Sequence, residues 1–260
     1  MQTVNIRRMG FWKSFVRCMV VIVALVVACP PLASPASAAE NNNTVITLNI
    51  WGSLGNKGKT TKVTKDVVAL AKQYKPIAIG LQEVCGKQHR SIRTELKKLG
   101  YTGTFTKTRA SGGCNDKAKG NAFGNSIYIR GKYTDRTRTA LPWGKNKKGT
   151  TGREPRAMLC VTATADKARY CTVHLSPHDP DNARQLTKVA KTLEPWAKKG
   201  TVVLMGDFNL SSKTAVKTVT FLKACAKPGR IDYTLSTDSR TCSTVAVASS
   251  DHSAVIAKQN

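Results

Sequence analysis

Acidic residues are scarce in this chain of 260 residues: 15 Asp and Glu stand against 42 Lys and Arg. The formal net charge of +27 is too large for an ordinary cytosolic metabolic enzyme. It implies a polyanionic partner, such as nucleic acid, an anionic surface or an acidic polymer, but does not separate a binder from an enzyme. Aromatics are also few, at 6%, yet an apolar content of 41% excludes intrinsic disorder. The apolar run at residues 19–28 has ten residues, too short to span a bilayer comfortably. No C-x-x-C spacing occurs, which argues against a zinc site. No internal repeat or long linker is visible.

The N-terminal segment reads as a leader. Arg7, Arg8, Lys13 and Arg17 precede the apolar run, and Ala36-Ser37-Ala38-Ala39 follows it. A basic region, a short apolar region and an A-x-A-like exit make residues 1–39 a signal peptide, cut after Ala38 or Ala39. The alternatives are an uncleaved anchor and a lipobox at Val26-Val27-Ala28-Cys29, with lipid on Cys29. Arg7-Arg8 fits a twin-arginine signal poorly. Cleavage takes four of the 27 excess charges and leaves +23 on residues 40–260, read as one secreted domain with no further membrane segment.

Cys18 and Cys29 leave with the leader, and six cysteines remain. An even number in an exported chain predicts disulfides, formally in one of fifteen pairings. Cys160 and Cys171 flank Ala165-Asp166, a candidate hairpin tip, so they face each other across two strands. Cys225–Cys242 and Cys85–Cys114 follow by proximity in sequence.

Strands and helices alternate. Residues 45–51 (VITLNIW), 77–81, 126–130, 156–164, 168–175, 201–205, 231–235 and 253–257 read as strands. Residues 60–74 read as a helix with Val63, Val67, Leu70, Ala71 and Tyr74 on one face. Residues 88–99 form a basic helix, with Ile92, Leu96 and Leu99 inward and Gly100 as its stop. Residues 181–199 are helical, with Leu186, Val189, Ala190, Leu193 and Trp196 apolar, and 214–223 are a further helix. Gly and Lys dominate 102–120 and 142–152, which read as exposed loops.

Polar groups fall where strands end. Asn49 and Glu83 close the first two β-rich runs, and His174 closes Tyr170-Cys171-Thr172-Val173-His174. Asp207 and Asn209 follow residues 202–205 through Gly206. Asp232 lies in Arg230-Ile231-Asp232-Tyr233, and Asp251-His252 precede the last strand. Polar groups at strand ends of an α/β sheet converge on a site at one edge.

Leu81-Gln82-Glu83, Met205-Gly206-Asp207-Phe208-Asn209 and Ser250-Asp251-His252 together resemble the endonuclease/exonuclease/phosphatase superfamily. That superfamily includes pancreatic deoxyribonuclease, abasic-site endonucleases, bacterial sphingomyelinases and inositol polyphosphate phosphatases. The likeness runs from Asn49 to His252, with every motif in family order. It implies an α/β fold of two packed, mostly antiparallel sheets flanked by helices, a four-layer sandwich.

The resemblance also implies roles. Glu83 is the principal ligand of Mg²⁺ (with Mn²⁺ or Ca²⁺ as substitutes), Asn49 stands beside it, and Asp251 shares the ion. His252 is the catalytic histidine, as base for the water or as charge stabiliser, and Asp232 orients it. Asp207 and Asn209 position the nucleophile and phosphate, or Asp207 protonates the leaving oxygen. His174 contacts the phosphate from the opposite side. His178 and His89 lack such support and read as loop or surface residues.

Thr151-Gly152-Arg153-Glu154-Pro155-Arg156 resembles the R-E-P segment of pancreatic-type deoxyribonucleases, where the arginine meets a backbone phosphate. Arg153 and Arg156, together with Asn125, whose Phe123-Gly124-Asn125-Ser126 context resembles a family position near the substrate, are the candidate substrate-binding residues. The glutamate that supports the first histidine in those enzymes has no equivalent here. Lys57, Lys59, Lys62, Lys65, Lys117, Lys119, Lys145, Lys147 and Lys148 suit phosphate tracking without base readout, and Trp143 stacks on a base or packs locally.

The expectation is a secreted, monomeric, metal-dependent phosphodiesterase, foremost a DNA endonuclease of low sequence specificity that hydrolyses backbone phosphodiesters. The alternatives are a phosphomonoesterase, a sphingomyelinase-type phosphodiesterase and a catalytically dead polyanion binder. A sphingomyelinase would carry an exposed hydrophobic hairpin, where this chain has Lys/Gly loops.

Overall fold

The computed structural model of the chain describes residues 43–143, 154–227 and 229–260. The leader with Cys29, Arg153, Lys145, Lys147 and Lys148 lie outside the described residues. Two six-stranded sheets organise the rest. The first contains β1 (Val45–Asn49), β2 (Ala78–Cys85), β3 (Tyr101–Ala110), β4 (Ala122–Arg130), β11 (Arg240–Ala246) and β12 (Ser253–Gln259), in the order β11-β12-β1-β2-β4-β3. The second contains β5 (Tyr133–Ala140), β6 (Ala157–Ala163), β7 (Arg169–His174), β8 (Val202–Asp207), β9 (Lys223–Cys225) and β10 (Asp232–Ser236), in the order β5-β6-β7-β8-β10-β9. Each sheet has one parallel pair at its centre, β1–β2 or β7–β8, and is otherwise antiparallel.

Burial explains the sandwich. All five residues of β1 and all six of β7 and β8 are buried, because each central strand is covered on both faces. Val45, Ile127, Ile129, Leu159, Val161, Tyr170, Val203 and Met205 fill the space between the sheets. Outside the first sheet lie α1 (Thr61–Tyr74) and α2 (Gly86–Lys97), with Val63, Val67, Leu70, Ile92 and Leu96 turned into the core. Outside the second lie α3 (Asp181–Ala197) and α4 (Ser212–Thr218), with Leu186, Val189 and Leu193 turned inward. Helix α1 stops at Lys75, whose left-handed backbone precedes Pro76. No helix among the described residues is long and apolar enough to cross a membrane.

Two features, one steric and one polar, set the distance between the sheets. A Cβ on Gly80 would sit 3.0 Å from Thr172 Oγ1 and 3.2 Å from Met205 Cβ, so glycine permits the close approach of β2 to the second sheet. Two residues on, Gln82 Nε2 donates to Thr47 Oγ1 at 3.0 Å and to Thr172 Oγ1 at 2.8 Å, bridging the sheets beside the strand ends. Disulfides join Cys160 to Cys171, Cys225 to Cys242 and Cys85 to Cys114. The first is a directly opposed pair on β6 and β7, and the second links β9 of one sheet to β11 of the other. All six cysteines beyond the leader are thereby withdrawn from metal binding.

Several sequence readings change. Residues 102–120, expected as a loop, hold most of β3 followed by two short 3-10 turns. Thr102, Thr104, Thr106 and Thr108 are β-branched, and Tyr101, Gly103 and Thr106 are buried, a strand signal hidden by the Gly/Lys composition around it. The edge strands β5, β9 and β11 were missed because they are polar and mostly exposed, without clean apolar alternation. The helix expected at 214–223 ends at Thr218, and Lys223 begins β9. Trp196 is 36% exposed, and the Arg169 guanidinium lies 4.2 Å from its ring centre. His89 is not a surface residue. It is buried on α2, 2.9 Å from Tyr128 Oη and 3.1 Å from Ser126 Oγ, and burial holds its pKa down to about 4.

Candidate active site

The topology delivers the polar groups to one edge. Parallel pairs β1–β2 and β7–β8 end there, and antiparallel β10 and β12 begin there. Register then aligns His174 with Asp207 and Asp207 with Asp232, in a row across β7, β8 and β10. Asn49 and Glu83 come from the other sheet. The two halves are tied by Asn49, whose Nδ2 donates to Glu83 Oε1 and to Asp207 Oδ2, both at 3.0 Å. Asn49 Oδ1 accepts the Trp51 N–H at 3.0 Å, which fixes the orientation of the amide.

Glu83 sits inside β2 rather than at its end. A bulge between Leu81 and Val84 breaks the pairing with β4, and Glu83 takes a left-handed φ of 58°. The bulge turns its side chain out of the strand's alternation and toward Asn49. Burial raises its pKa; the Asn49 hydrogen bond and Arg156 pull it back, while Glu154 and Asp251 push it up.

Asp207 and Asn209 form a tight turn after β8. Gly206 is required there, because a Cβ would lie 2.4 Å from the Val173 carbonyl oxygen. The Asn209 N–H donates to Asp207 Oδ1 at 3.1 Å, with Asn209 itself at a left-handed φ of 50° that asparagine tolerates. Asn209 Nδ2 reaches the Leu175 carbonyl at 3.0 Å, locking the ends of β7 and β8 together. Burial, reinforced by Asp232, pushes the Asp207 carboxyl up to about 6.

His252 Nδ1 stands 2.7 Å from Asp232 Oδ2. That hydrogen bond and charge raise the imidazole to about 9 against the opposing effect of burial. His252 is thus an imidazolium at neutral pH, with Nε2 4.0 Å from the exposed Asp251. Ser250 braces the same turn: its hydroxyl donates to the Asn49 carbonyl at 2.6 Å and accepts the His252 N–H at 3.0 Å.

His174 is the opposite case. Its Nε2 lies 3.3 Å from Asp207 Oδ2, yet burial and the charges of Arg156, His252 and Arg109 hold its pKa well below 6.5. The contact is therefore between a neutral imidazole and a carboxyl, not an ion pair. Two guanidiniums surround this histidine where a supporting glutamate would have favoured its charged form.

Arg156 is buried beside the centre, and its electrostatic partners include Glu154, Asp207 and Glu83. Asn125 is buried too, and its Nδ2 donates to the Ala157 carbonyl at 3.0 Å. It anchors the start of β6, directly after Arg156, rather than presenting its amide to solvent. His178 is exposed in the loop after β7, and Trp143 is 42% exposed. Sequence reading passed over Gln82, Ser250 and Arg109 as site residues; the L-Q-E and S-D-H motifs contained the first two, and nothing local marked the third.

A divalent cation fits this chemistry. Glu83 and Asp251 are hard oxygen donors, with Asp251 pushing the Glu83 carboxyl up, and Asn49 Oδ1 keeps a second lone pair. Asp207, Asp232 and His252 also bring one atom each within 4.8 Å of one another. Their 2.7 Å His–Asp hydrogen bond and the protonated imidazole make that trio a proton-holding group instead.

The solved structures that the fold resembles include the human Nocturnin catalytic domain with bound sulfate, at 15% identity and TM-score 0.64, covering 84% of this chain and 93% of that one. A mannosyl-6-phosphatase of Bacteroides thetaiotaomicron superposes with TM-score 0.61 at 16% identity, covering 82% and 98%. Truncated TDP2 of Caenorhabditis elegans gives TM-score 0.60 at 15% identity, covering 84% and 98%. No curated protein sequence matches the chain significantly. The sequence profile of the Endonuclease/Exonuclease/phosphatase family matches residues 46–252, from the first strand to His252. The chain belongs to the endonuclease/exonuclease/phosphatase family, a family of hydrolases that are mostly metal-dependent phosphoesterases.

Proposed function

We propose that the chain is a secreted, Mg²⁺-dependent phosphodiesterase that cleaves the nucleic-acid backbone, DNA foremost, with little sequence specificity. The observation that carries this reading is the cross-sheet set Asn49–Glu83–Asp207–Asp232–His252 on a chain whose net charge of +27 falls only to +23 once residues 1–39 are removed. A dense positive field concentrates a polyanion at a small acidic centre, and reads backbone rather than bases.

Glu83, with Asp251 and the free lone pair of Asn49, would hold the cation, which supplies Lewis-acid neutralisation of phosphate charge when bound. The remaining work falls to the protein. His252, protonated through Asp232, donates from Nε2 to a phosphate oxygen. Asp207, with a pKa of about 6, is ionised at neutral pH and poised to take a proton from the attacking water. Asn209 holds Asp207 in place, His174 faces Asp207 through Nε2 and lines the phosphate site from the other side, and Arg156 adds a buried positive charge. Arg153 is assigned to a backbone phosphate by its motif alone.

Residues 1–39 act as the signal peptide and residues 40–260 as the monomeric mature enzyme in this reading. Three disulfides support an oxidising, extracellular setting. The test is incubation of the mature protein with supercoiled plasmid and Mg²⁺, alongside EDTA and His252→Asn controls. Metal-dependent nicking lost in both controls is the expected result. Absence of nicking, with release of phosphate from a phosphomonoester or of phosphocholine from sphingomyelin vesicles, would replace the nuclease reading with one of the other activities.

A further inference from the structure

The catalytic edge carries a guanidinium that hydrolysis of a single phosphodiester does not use. Arg109 stands near the end of β3, just past a bulge, in register with Phe123 of β4. Phe123 in turn opposes Cys85, two residues beyond Glu83 on β2. Two strand spacings, about 10 Å, thus separate the strand of Arg109 from that of Glu83.

This arginine is held in place and partly accessible. Its guanidinium carbon lies 4.6 Å from the centre of the buried Phe123 ring. Its Nη1 donates to the Ala110 carbonyl at 3.1 Å, and its Nε lies 3.2 Å from Glu154 Oε1. The other oxygen of Glu154 faces Arg156 at 3.6 Å. One carboxylate therefore serves two guanidiniums, and the trio keeps a net positive charge. Neither Arg109 Nε nor Arg156 Nε, both buried, makes an aligned hydrogen bond. The Arg109 side chain is 33% exposed whereas that of Arg156 is 8% exposed, so the outer of the two is open to a ligand.

We infer that Arg109 binds the phosphate next to the scissile one, with Glu154 spacing it from Arg156, so that the enzyme prefers a diester flanked by a second phosphate. This rests on the phosphodiesterase reading above and adds a specificity residue to it. A guanidinium preset on an aromatic ring presents a fork to phosphate oxygens with little rotamer entropy left to lose.

The probes are a thymidine dinucleotide, which has one phosphate, and a thymidine octanucleotide. Wild type is expected to show a kcat/KM at least tenfold higher on the octanucleotide. Arg109→Ala should cut that ratio by about tenfold, through KM on the octanucleotide, as expected for one charge-assisted phosphate contact. Arg109→Lys should recover only part of it. Lys199→Ala, which removes an equal charge from the exposed turn after α3, should leave the ratio at the wild-type value. Equal losses on both probes, or an unchanged ratio in Arg109→Ala and Arg109→Lys, overturn the assignment. A wild type inactive on both probes instead overturns the phosphodiesterase reading itself.

Discussion

Replacing Asp232 with asparagine removes the charge that keeps His252 protonated while leaving an oxygen in hydrogen-bonding reach. The dyad raises the imidazole from 6.5 to about 9, equivalent to at most about 3 kcal/mol in favour of the charged form. A group whose folded pKa is raised contributes stability that is complete below its unfolded value and disappears as pH rises through the folded value. The contribution is therefore full below 6.5 and gone above about 9. In metal-free protein, Asp232→Asn should melt roughly 5–10 °C below wild type at pH 6, and the gap should close by pH 9.5. Relief of Asp207, which Asp232 pushes upward, works in the opposite direction and makes this an upper bound. Titration of the His252 ring by NMR in EDTA provides the direct reading. At pH 7.5 about 97% of the imidazole should be charged in wild type, against roughly 10% if the variant returns to 6.5. A wild-type His252 that titrates near 6.5, or one that titrates alike in both proteins, refutes the reasoning.

Other outcomes follow from the same geometry. Glu83→Gln should abolish Mg²⁺-dependent turnover by at least about a hundredfold; its metal-free melting temperature at pH 8 should equal or exceed wild type, because the raised pKa of Glu83 marks a carboxylate whose ionisation opposes folding. Paired replacement of Cys85 and Cys114 by serine opens a link spanning 29 residues, costing roughly 3–4 kcal/mol in chain entropy; calorimetry should register this drop, with an activity loss as the turn beside Glu83 loosens. His89, neutral and buried with a pKa of about 4, makes the fold lose stability as pH falls from 6.5 to 4, by about 3 kcal/mol at most; acid titration of His89→Gln should lack that component. Binding of an octanucleotide to metal-free protein should weaken steeply between 50 and 200 mM salt, with a log–log slope set by the number of phosphates engaged; a slope near zero would mean the basic surface does not track the backbone.

Much of the site was legible because its residues occupy strand ends in short stereotyped contexts. Gly206-Asp207-Phe208-Asn209 is readable since only glycine fits under the Val173 carbonyl and asparagine is among the few side chains that tolerate the left-handed turn at position 209. The central strands were readable since burial on both faces demands apolar runs. Strands β3, β5, β9 and β11 were not, because edge positions release the side chains from that demand. The scarcity of acids and the basic excess were visible from composition, as was an even set of six cysteines beyond the leader. What tertiary structure decided was protonation and distance. Asp232 and His252 are twenty residues apart, and only the pairing of β10 with β8 and the return of β12 bring them to 2.7 Å. Two histidines of the same intrinsic pKa diverge although each has a carboxyl neighbour: the 2.7 Å hydrogen bond to Asp232 outweighs burial at His252 and raises it to about 9, whereas at His174 burial and the nearby guanidiniums outweigh Asp207 and hold it well below 6.5. Sequence names the ionisable groups; the free energy of each charge depends on neighbours that only the folded chain supplies.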